Sequence, residues 1–404
     1  MDLRQRLARL DPLSRRPRSE PPAGMAAAPD APPPELGLGV VRPAAGPLWS
    51  REDERAHVPR PAAPVPDLTG IIPAAAGRAA AWEDVLCLDT ETTGLAGGTG
   101  TLVFLVGLGW WQEGRFRVRQ LFLPGPEGED AMLTALAELT TRFQVVVTYN
   151  GAGFDLPLLR TRALMNRRGD PCRHLEHWDL LTAARRLWGR GLPDCRQQTV
   201  EHWIGRFQRG PGDISGALIP GVYQAFLRAG EVDQLAAVLR HNRRDIDGLG
   251  LLLQELAAAA AAIAAGPGSW NGVAPEAWSR ALICERRRQT SLAAQWAACL
   301  VTPPRLAALP LAGVLDAIRL LKREGRWPQV AALIDHGLGR WPGELRLHYE
   351  AAVVYEHRLG DARRALAHAA VLGDDRRRQR LQARLARRAA AADATAGGSH
   401  RDQP

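Results

Sequence analysis

The sequence predicts an α/β fold, a mixed sheet flanked by helices, followed by an all-α helical-repeat domain. Three observations lead there. Between residues 85 and 150, apolar runs of strand length come first in succession and then alternate with segments of helical period. The stretch "GPGSWNGVAP" then breaks the pattern with the composition of a linker. Beyond it the chain is helical and repeats itself.

The elements follow in order. Residues 1–35, rich in Pro, Ala and Arg, read as a disordered tail. In 36–80, short apolar pieces such as "ELGLGVV" alternate with prolines and suggest a partly ordered extension of strands or turns. The α/β domain spans 81–264. Val85 to Leu88 form an uninterrupted apolar run, expected of a strand buried on both faces. A turn, "GLAGGTGT", leads to strands at 101–111 and 116–123, joined by "QEGR" as a hairpin. "EGEDAMLTALAELTTRF" has helical period with acids in its first turn, where they complement the helix dipole. "VVVTYN" at 145–150 is a strand, and "FDLPLLRTRALMNRR" a helix that tolerates Pro157 near its start. A further strand ends at "HWDLL", with helices to about 204, another near 219–229 and a long one over 232–264. A linker at 265–275 precedes helical repeats at 276–372, and 373–404 reads as an Arg-rich, largely disordered tail. Within the repeats, "REGRWPQVAALIDHGLGRWPG" overlays "RLGDARRALAHAAVLGD" when Gly325 is matched to Gly360. Trp278 and Ala294 mark a degenerate third copy. Helix pairs at this spacing resemble tetratricopeptide repeats.

Composition excludes little. The net charge of +9 is carried almost wholly by arginine, with Lys322 the only lysine, and much of it lies in the two end segments. A basic surface is compatible with a polyanion and does not demonstrate one. Five scattered cysteines with no CxxC suit reduced thiols in the cytoplasm better than a disulfide frame. "CRHLEH" offers Cys172, His174 and His177 but no fourth ligand, so a loop is favoured over zinc. The N-terminus shows no apolar core of a secretory signal. "LGLLLQELAAAAAAIAAG" contains Gln254 and Glu255 and reads as a helix packed on protein, not a membrane span.

The acids carry the chemistry. Asp89 and Glu91 end a buried strand two residues apart, hence on one face, where like charges repel. Salt bridges, a helix cap or metal ligation would each explain them. Asp155 opens a helix after a strand, with Gly151 and Gly153 permitting close approach. Strand ends in such sheets are where ligands gather. His241 and Asp245, four apart, share a helix face, whereas Asp247 lies round from it as a surface acid. Asp179 is a cap of the following helix or a secondary acid.

The order "DTETTGL", "NGAGFD", "HNRRD" resembles the three motifs of the DEDD exonucleases of the ribonuclease H-like superfamily. The longer stretches "DTETTGLAGGTGTLVFLVGLG" and "VTYNGAGFDLPLLRTR" look like its bacterial YprB-like branch, over about 81–256. The resemblance implies two divalent cations, Mg²⁺ or Mn²⁺, held by Asp89, Glu91, Asp155 and Asp245, with His241 as general base. Histidine members usually place that residue five before the last Asp; here the spacing is four, as the YprB-like branch also has it. It further implies that Thr92, Thr93, Gly94, Leu95, Asn150 and Phe154 line the pocket of a terminal nucleotide. The expected activity is 3′–5′ exonucleolytic hydrolysis of single-stranded DNA or RNA, with a protein partner on the helical repeats. The alternative is a non-catalytic nucleic-acid-binding adaptor that recruits its partner through those repeats.

Overall fold

The computed structural model describes residues 31–75, 80–94, 100–205, 207, 209–210 and 212–398. The tail expected over residues 1–35 therefore lies almost wholly outside the described residues, as does part of the glycine-rich turn, 95–99. The chain divides into two units. The first comprises the described residues of Met1–Val65, Ala80–Leu180 and Ile204–Leu253; the second, those of Pro66–Ala79, Leu181–Trp203 and Gln254–Pro404.

The first unit is built on a seven-stranded sheet of order β1-β2-β5-β4-β3-β6-β7. Its strands are β1 (Gly39–Val41), β2 (Leu48–Arg55), β3 (Val85–Thr92), β4 (Val103–Gln112), β5 (Arg115–Phe122), β6 (Val145–Thr148) and β7 (Glu176–Asp179). Thus the apolar pieces of the 36–80 stretch supply two strands of this sheet, β2 pairing antiparallel with β5 from Trp49 opposite Phe122 to Arg55 opposite Phe116. The β4–β5 hairpin closes through Glu113 and Gly114, with φ of 53° and 78°, the two left-handed residues of a tight hairpin turn. On the other side, β3, β6 and β7 run parallel; the chain reaches β6 from β5 through one helix and β7 from β6 through another. The sheet is mixed because a meander of hairpins meets a β-α-β half, as the order of apolar runs predicts.

Helices α1 (Glu129–Thr140) and α2 (Asp155–Met165) lie between the parallel strands, followed by α3 (Leu180–Leu187), α4 (Gln197–Trp203), α5 (Ile219–Ala229) and the long α6 (Leu235–Ala265). The core includes Leu86, Leu88, Trp110, Leu136 and Phe143, together with an aromatic group from Trp49, Phe104, Phe122, Tyr223 and Phe226. Tyr223 stacks on Phe104 at 4.0 Å between centroids, and its hydroxyl donates to the Leu123 carbonyl at 2.9 Å, so its one polar atom is satisfied. Helix α6 is long and apolar enough by composition to cross a bilayer, yet half of its most apolar window is buried within the protein. Ile246, Leu249 and Leu253 are fully covered, as expected of a helix packed on protein.

The second unit is helical: α7 (Ala274–Arg286), α8 (Thr290–Ala298), α9 (Pro303–Ala308), α10 (Leu311–Arg323), α11 (Trp327–Arg340), α12 (Leu345–His357), α13 (Ala362–Val371) and α14 (Asp375–Gly398). Gly325 and Gly360, the matched glycines of the repeat, both adopt left-handed φ, 66° and 70°. A side chain would be strained there, which explains glycine at both helix-to-helix turns. Earlier segments are tied into this unit. Arg287 donates to the carbonyls of Thr69 and Asp67, and Arg190 lies 4.6 Å over the Trp278 ring. The Arg-rich end, expected to be largely disordered, is instead helical over residues 375–398. Its Leu381 is fully buried, and Arg377 and Arg380 both bind the nearly buried carboxylate of Glu356. Those cations serve an internal acid, a role that composition does not reveal.

Candidate metal centre

Strand β3 carries the first two acids out of the core. Its burial alternates at the C-terminal end, with Asp89 and Glu91 partly open and Thr90 and Thr92 covered. A register shift between Glu91 and Thr92 ends regular pairing with β4. Asp89, Gly107, Gln120 and Arg51 form one cross-strand row on a single sheet face.

Helix α6 crosses this face. A Cβ added to Gly107 would stand 2.4 Å from Oδ1 of Asn242, and one added to Gly109 would stand 2.4 Å from Ile246. Two glycines in a strand are costly in themselves, but here they let the helix backbone approach the sheet. Fully buried Asn242 donates from Nδ2 to Asp89 Oδ2 at 2.9 Å and accepts on Oδ1 from Gln120 Nε2 at 2.8 Å. Gln120 accepts in turn from Arg51 Nε at 2.8 Å. This chain of hydrogen bonds fixes the Asp89 carboxylate.

Immediately before the two contact residues, Asn242 and Ile246, α6 presents His241 and Asp245, both nearly buried and, as the four-residue spacing predicts, on one face. His241 Nε2 lies 3.2 Å from Asp245 Oδ2. Ligand atoms of Glu91, His241 and Asp245 all fall within 4.8 Å of one another. Asp155 enters from the N-terminus of α2, buried, accepting from Thr90 Oγ1 at 2.5 Å. The tight group thus unites three of the five chemistry-bearing residues. Asp89 and Asp155 stand at its margin, where each feels the charge of its neighbours.

Electrostatics records that crowding. Burial, then the charges of Asp245, Glu91 and Asp155, hold the Asp89 carboxyl well above its usual range against the opposing Asn242 bond. Glu91 is raised for the same reasons, burial first and then Asp245 and Asp155. Burial pushes Asp155 up to about 6 although Thr90 opposes it. Asp245 is also raised by burial, against the pull of Arg209 and His241. Such a set is short of positive charge. Its donors are hard carboxylate oxygens beside one imidazole, which suits a divalent cation of the Mg²⁺ or Mn²⁺ kind. Asp89, Glu91, Asp155 and Asp245 are the residues that could hold it.

The expected substrate contacts are distributed differently. The Thr92 hydroxyl donates to the Gly94 carbonyl at 2.8 Å, and Thr93 Oγ1 accepts from Leu102 N at 2.9 Å, so both brace the bend after β3. Leu95 lies outside the described residues. Asn150 is exposed with φ 65°, and Phe154, half-buried, precedes α2. Asp179 accepts from the N–H groups of Asn150 and Ala152 at 2.9 and 3.2 Å, tying down the loop before Asp155. Asp247, expected on the helix surface, is fully buried. Arg55 binds it through two nitrogens and His57 lies 3.1 Å away, because β2 passes on that side. His174 and His177 bond to the Thr140 carbonyl at 3.0 Å and Thr148 Oγ1 at 2.9 Å, which gives both rings structural work.

Sequence reasoning missed four residues around the centre: Thr90, Arg209, Asp213 and Asn242. Asn242 stands next to His241 in "HNRRD", and its polarity at a buried helix position was the available signal. Arg209 and Asp213, in "RGPGDIS", belong to no recognisable spacing. Arg209 binds Asp245, and Asp213 Oδ1 lies 2.9 Å from His241 Nδ1.

Comparison with known proteins agrees with this architecture. Residues 86–257 match the family described as the RNase_H superfamily. They form a ribonuclease H-like domain. The chain is also similar to the uncharacterized protein YprB of Bacillus subtilis (strain 168), 40% identical over 163 residues. That match covers 39% of this chain and 38% of the relative. The ribonuclease H-like domain contains every residue of the carboxylate centre.

Proposed function

We propose that the protein is a metal-dependent 3′–5′ exonuclease, hydrolysing phosphodiester bonds of single-stranded DNA or RNA by a two-metal mechanism. The observation that supports it best is the gathering of Glu91, His241 and Asp245, with Asp89 and Asp155 at the margin, from three distant segments in a ribonuclease H-like domain. Divalent cations held there would neutralise the phosphodiester and favour attack by water. The chain's own residues do the rest. Asn242 and Thr90 hold Asp89 and Asp155 in their orientations. His241, facing the carboxylates through Nε2, takes the proton of the attacking water as general base. Thr92, Thr93, Gly94, Asn150 and Phe154 line the terminal nucleotide, with Phe154 available to stack on its base. The polarity of digestion and the exonucleolytic mode rest on the resemblance to DEDD exonucleases.

The helical unit is read as tetratricopeptide-like and as the seat of a protein partner. It has a groove of about 900 Å³ whose lining includes Leu315, Trp327, Leu345 and Tyr349. Leu345 and Tyr349 are more than half exposed and line the same groove, and apolar side chains exposed together mark interaction surfaces.

The direct test is digestion of a 5′-labelled single-stranded oligonucleotide, DNA and RNA in parallel, with Mg²⁺, Mn²⁺ or EDTA. The expected result is a metal-dependent ladder shortening from the 3′ end, reduced by at least about 10³-fold in Asp89→Ala. Absence of cleavage with either metal contradicts the proposal.

A further inference from the structure

His241 has a second neighbour that no motif announces. Its Nδ1 lies 2.9 Å from Oδ1 of Asp213, which sits in the loop before α5. Two cations flank that carboxylate, Arg209 at 3.4 Å and Arg244 at 3.3 Å. Burial alone would push the Asp213 carboxyl up. The His241 bond, the charge His241 carries when protonated, and then the Arg209 charge and bond outweigh it and hold the group below its usual value. With the ring neutral, the two bonds and the Arg209 charge remain. An ionised carboxylate has no proton to give, so the hydrogen between these atoms belongs to Nδ1. In the neutral ring Nε2 then carries the lone pair, and that atom points at Asp245 Oδ2, 3.2 Å away, with Glu91 in the same group. In water a neutral imidazole prefers the opposite arrangement, with its proton on Nε2. Asp213 meets Nδ1, Asp245 and Glu91 face Nε2, and Arg209 links Asp213 to Asp245; Nε2 keeps its lone pair only where the Asp245 charge is engaged, by Arg209 or by a cation in the centre.

We propose that Asp213 is a positioning residue that fixes His241 in its Nδ1–H tautomer, so that Nε2 presents its lone pair to the carboxylate centre. The inference rests on the general-base reading of His241 and adds what makes that base competent. A freely rotating imidazole would divide its time between two tautomers and several rotamers. The bond to Asp213 leaves one of each, and Arg209 and Arg244 keep Asp213 ionised and in place. The same logic, a carboxylate orienting the far nitrogen of a working histidine, recurs wherever imidazole must present a particular nitrogen.

The test is ¹⁵N spectroscopy of protein labelled at histidine, with Mg²⁺ alone, at a pH of about 8.5, about two units above the value of free imidazole. The His241 signals are assigned by their loss in His241→Gln. The expected wild-type spectrum shows a protonated Nδ1 and an unprotonated Nε2, and Asp213→Ala restores the Nε2–H form that dominates in water. In parallel, Asp213→Ala lowers kcat by about 10²-fold while KM stays within about 2-fold. An Nε2–H tautomer in the wild type overturns the proposal, as does an unchanged tautomer in Asp213→Ala. If that variant does not fold, the wild-type spectrum alone decides. A wild type with the Nδ1–H tautomer and no nuclease activity would uphold the positioning and refute the proposed function, so the two can fail separately.

Discussion

At the scale of single residues, the centre is defined by acids whose ionised forms the fold disfavours. Asp155 shows the consequence for pH. Its folded-state value, about 6, lies above the ordinary carboxyl value, so the native state binds the extra proton between the two. Stability from this group is therefore greatest below the ordinary carboxyl range and falls as pH rises through about 6. In thermal unfolding with EDTA, Tm should fall between about pH 4 and about pH 6, and Asp155→Asn should flatten that fall. Saturating Mn²⁺ should raise Tm most at the higher pH, since bound cations stabilise the ionised form. The four acids and His241 were legible in the sequence from the order of three motifs that resembles the DEDD exonucleases, since an acid pair at a strand end or a single helix histidine carries little signal alone. Asp213 and Arg209 were not, because a loop offers no periodicity from which to read a contact. Asp247 was misread for a related reason: helix geometry places a side chain on a face, but cannot say that β2 will cover it.

At the scale of elements, the close approach of α6 to β4 matters most. Gly107 is the critical residue, since even a methyl group there would collide with Asn242. Gly107→Ala should cost about 1–3 kcal/mol in denaturant unfolding and weaken Mn²⁺ binding as Asn242 moves off Asp89. A variant that loses stability but keeps full metal affinity would show that the glycine serves packing alone. The strands and long helices were readable from their apolar period, and the helix at 219–229 is found over Ile219–Ala229. What the period could not show was that Leu48–Arg55, polar along much of its length, would pair with β5. Such a strand buries one face only, and its alternation is diluted by the charges that pair with Arg117 and Arg119.

At the scale of the whole molecule, the two units are not consecutive along the chain. The helical unit takes in the described residues of Pro66–Ala79 and Leu181–Trp203, which sequence composition assigns to the extension and to the α/β domain. Cutting the chain near residue 265 therefore removes the partners of both segments, including Arg287 on Thr69 and Trp278 under Arg190. The shortened chain should unfold at lower denaturant or aggregate, measured against the full chain by urea titration; equal midpoints would refute this. The measurement that tests the central claim most directly is electron paramagnetic resonance of the protein titrated with Mn²⁺. A pair of coupled Mn²⁺ ions per chain, absent in Asp89→Ala, is the predicted result. A single isolated ion unaffected by Asp89→Ala, or no bound ion at all, would contradict a two-metal centre on these carboxylates.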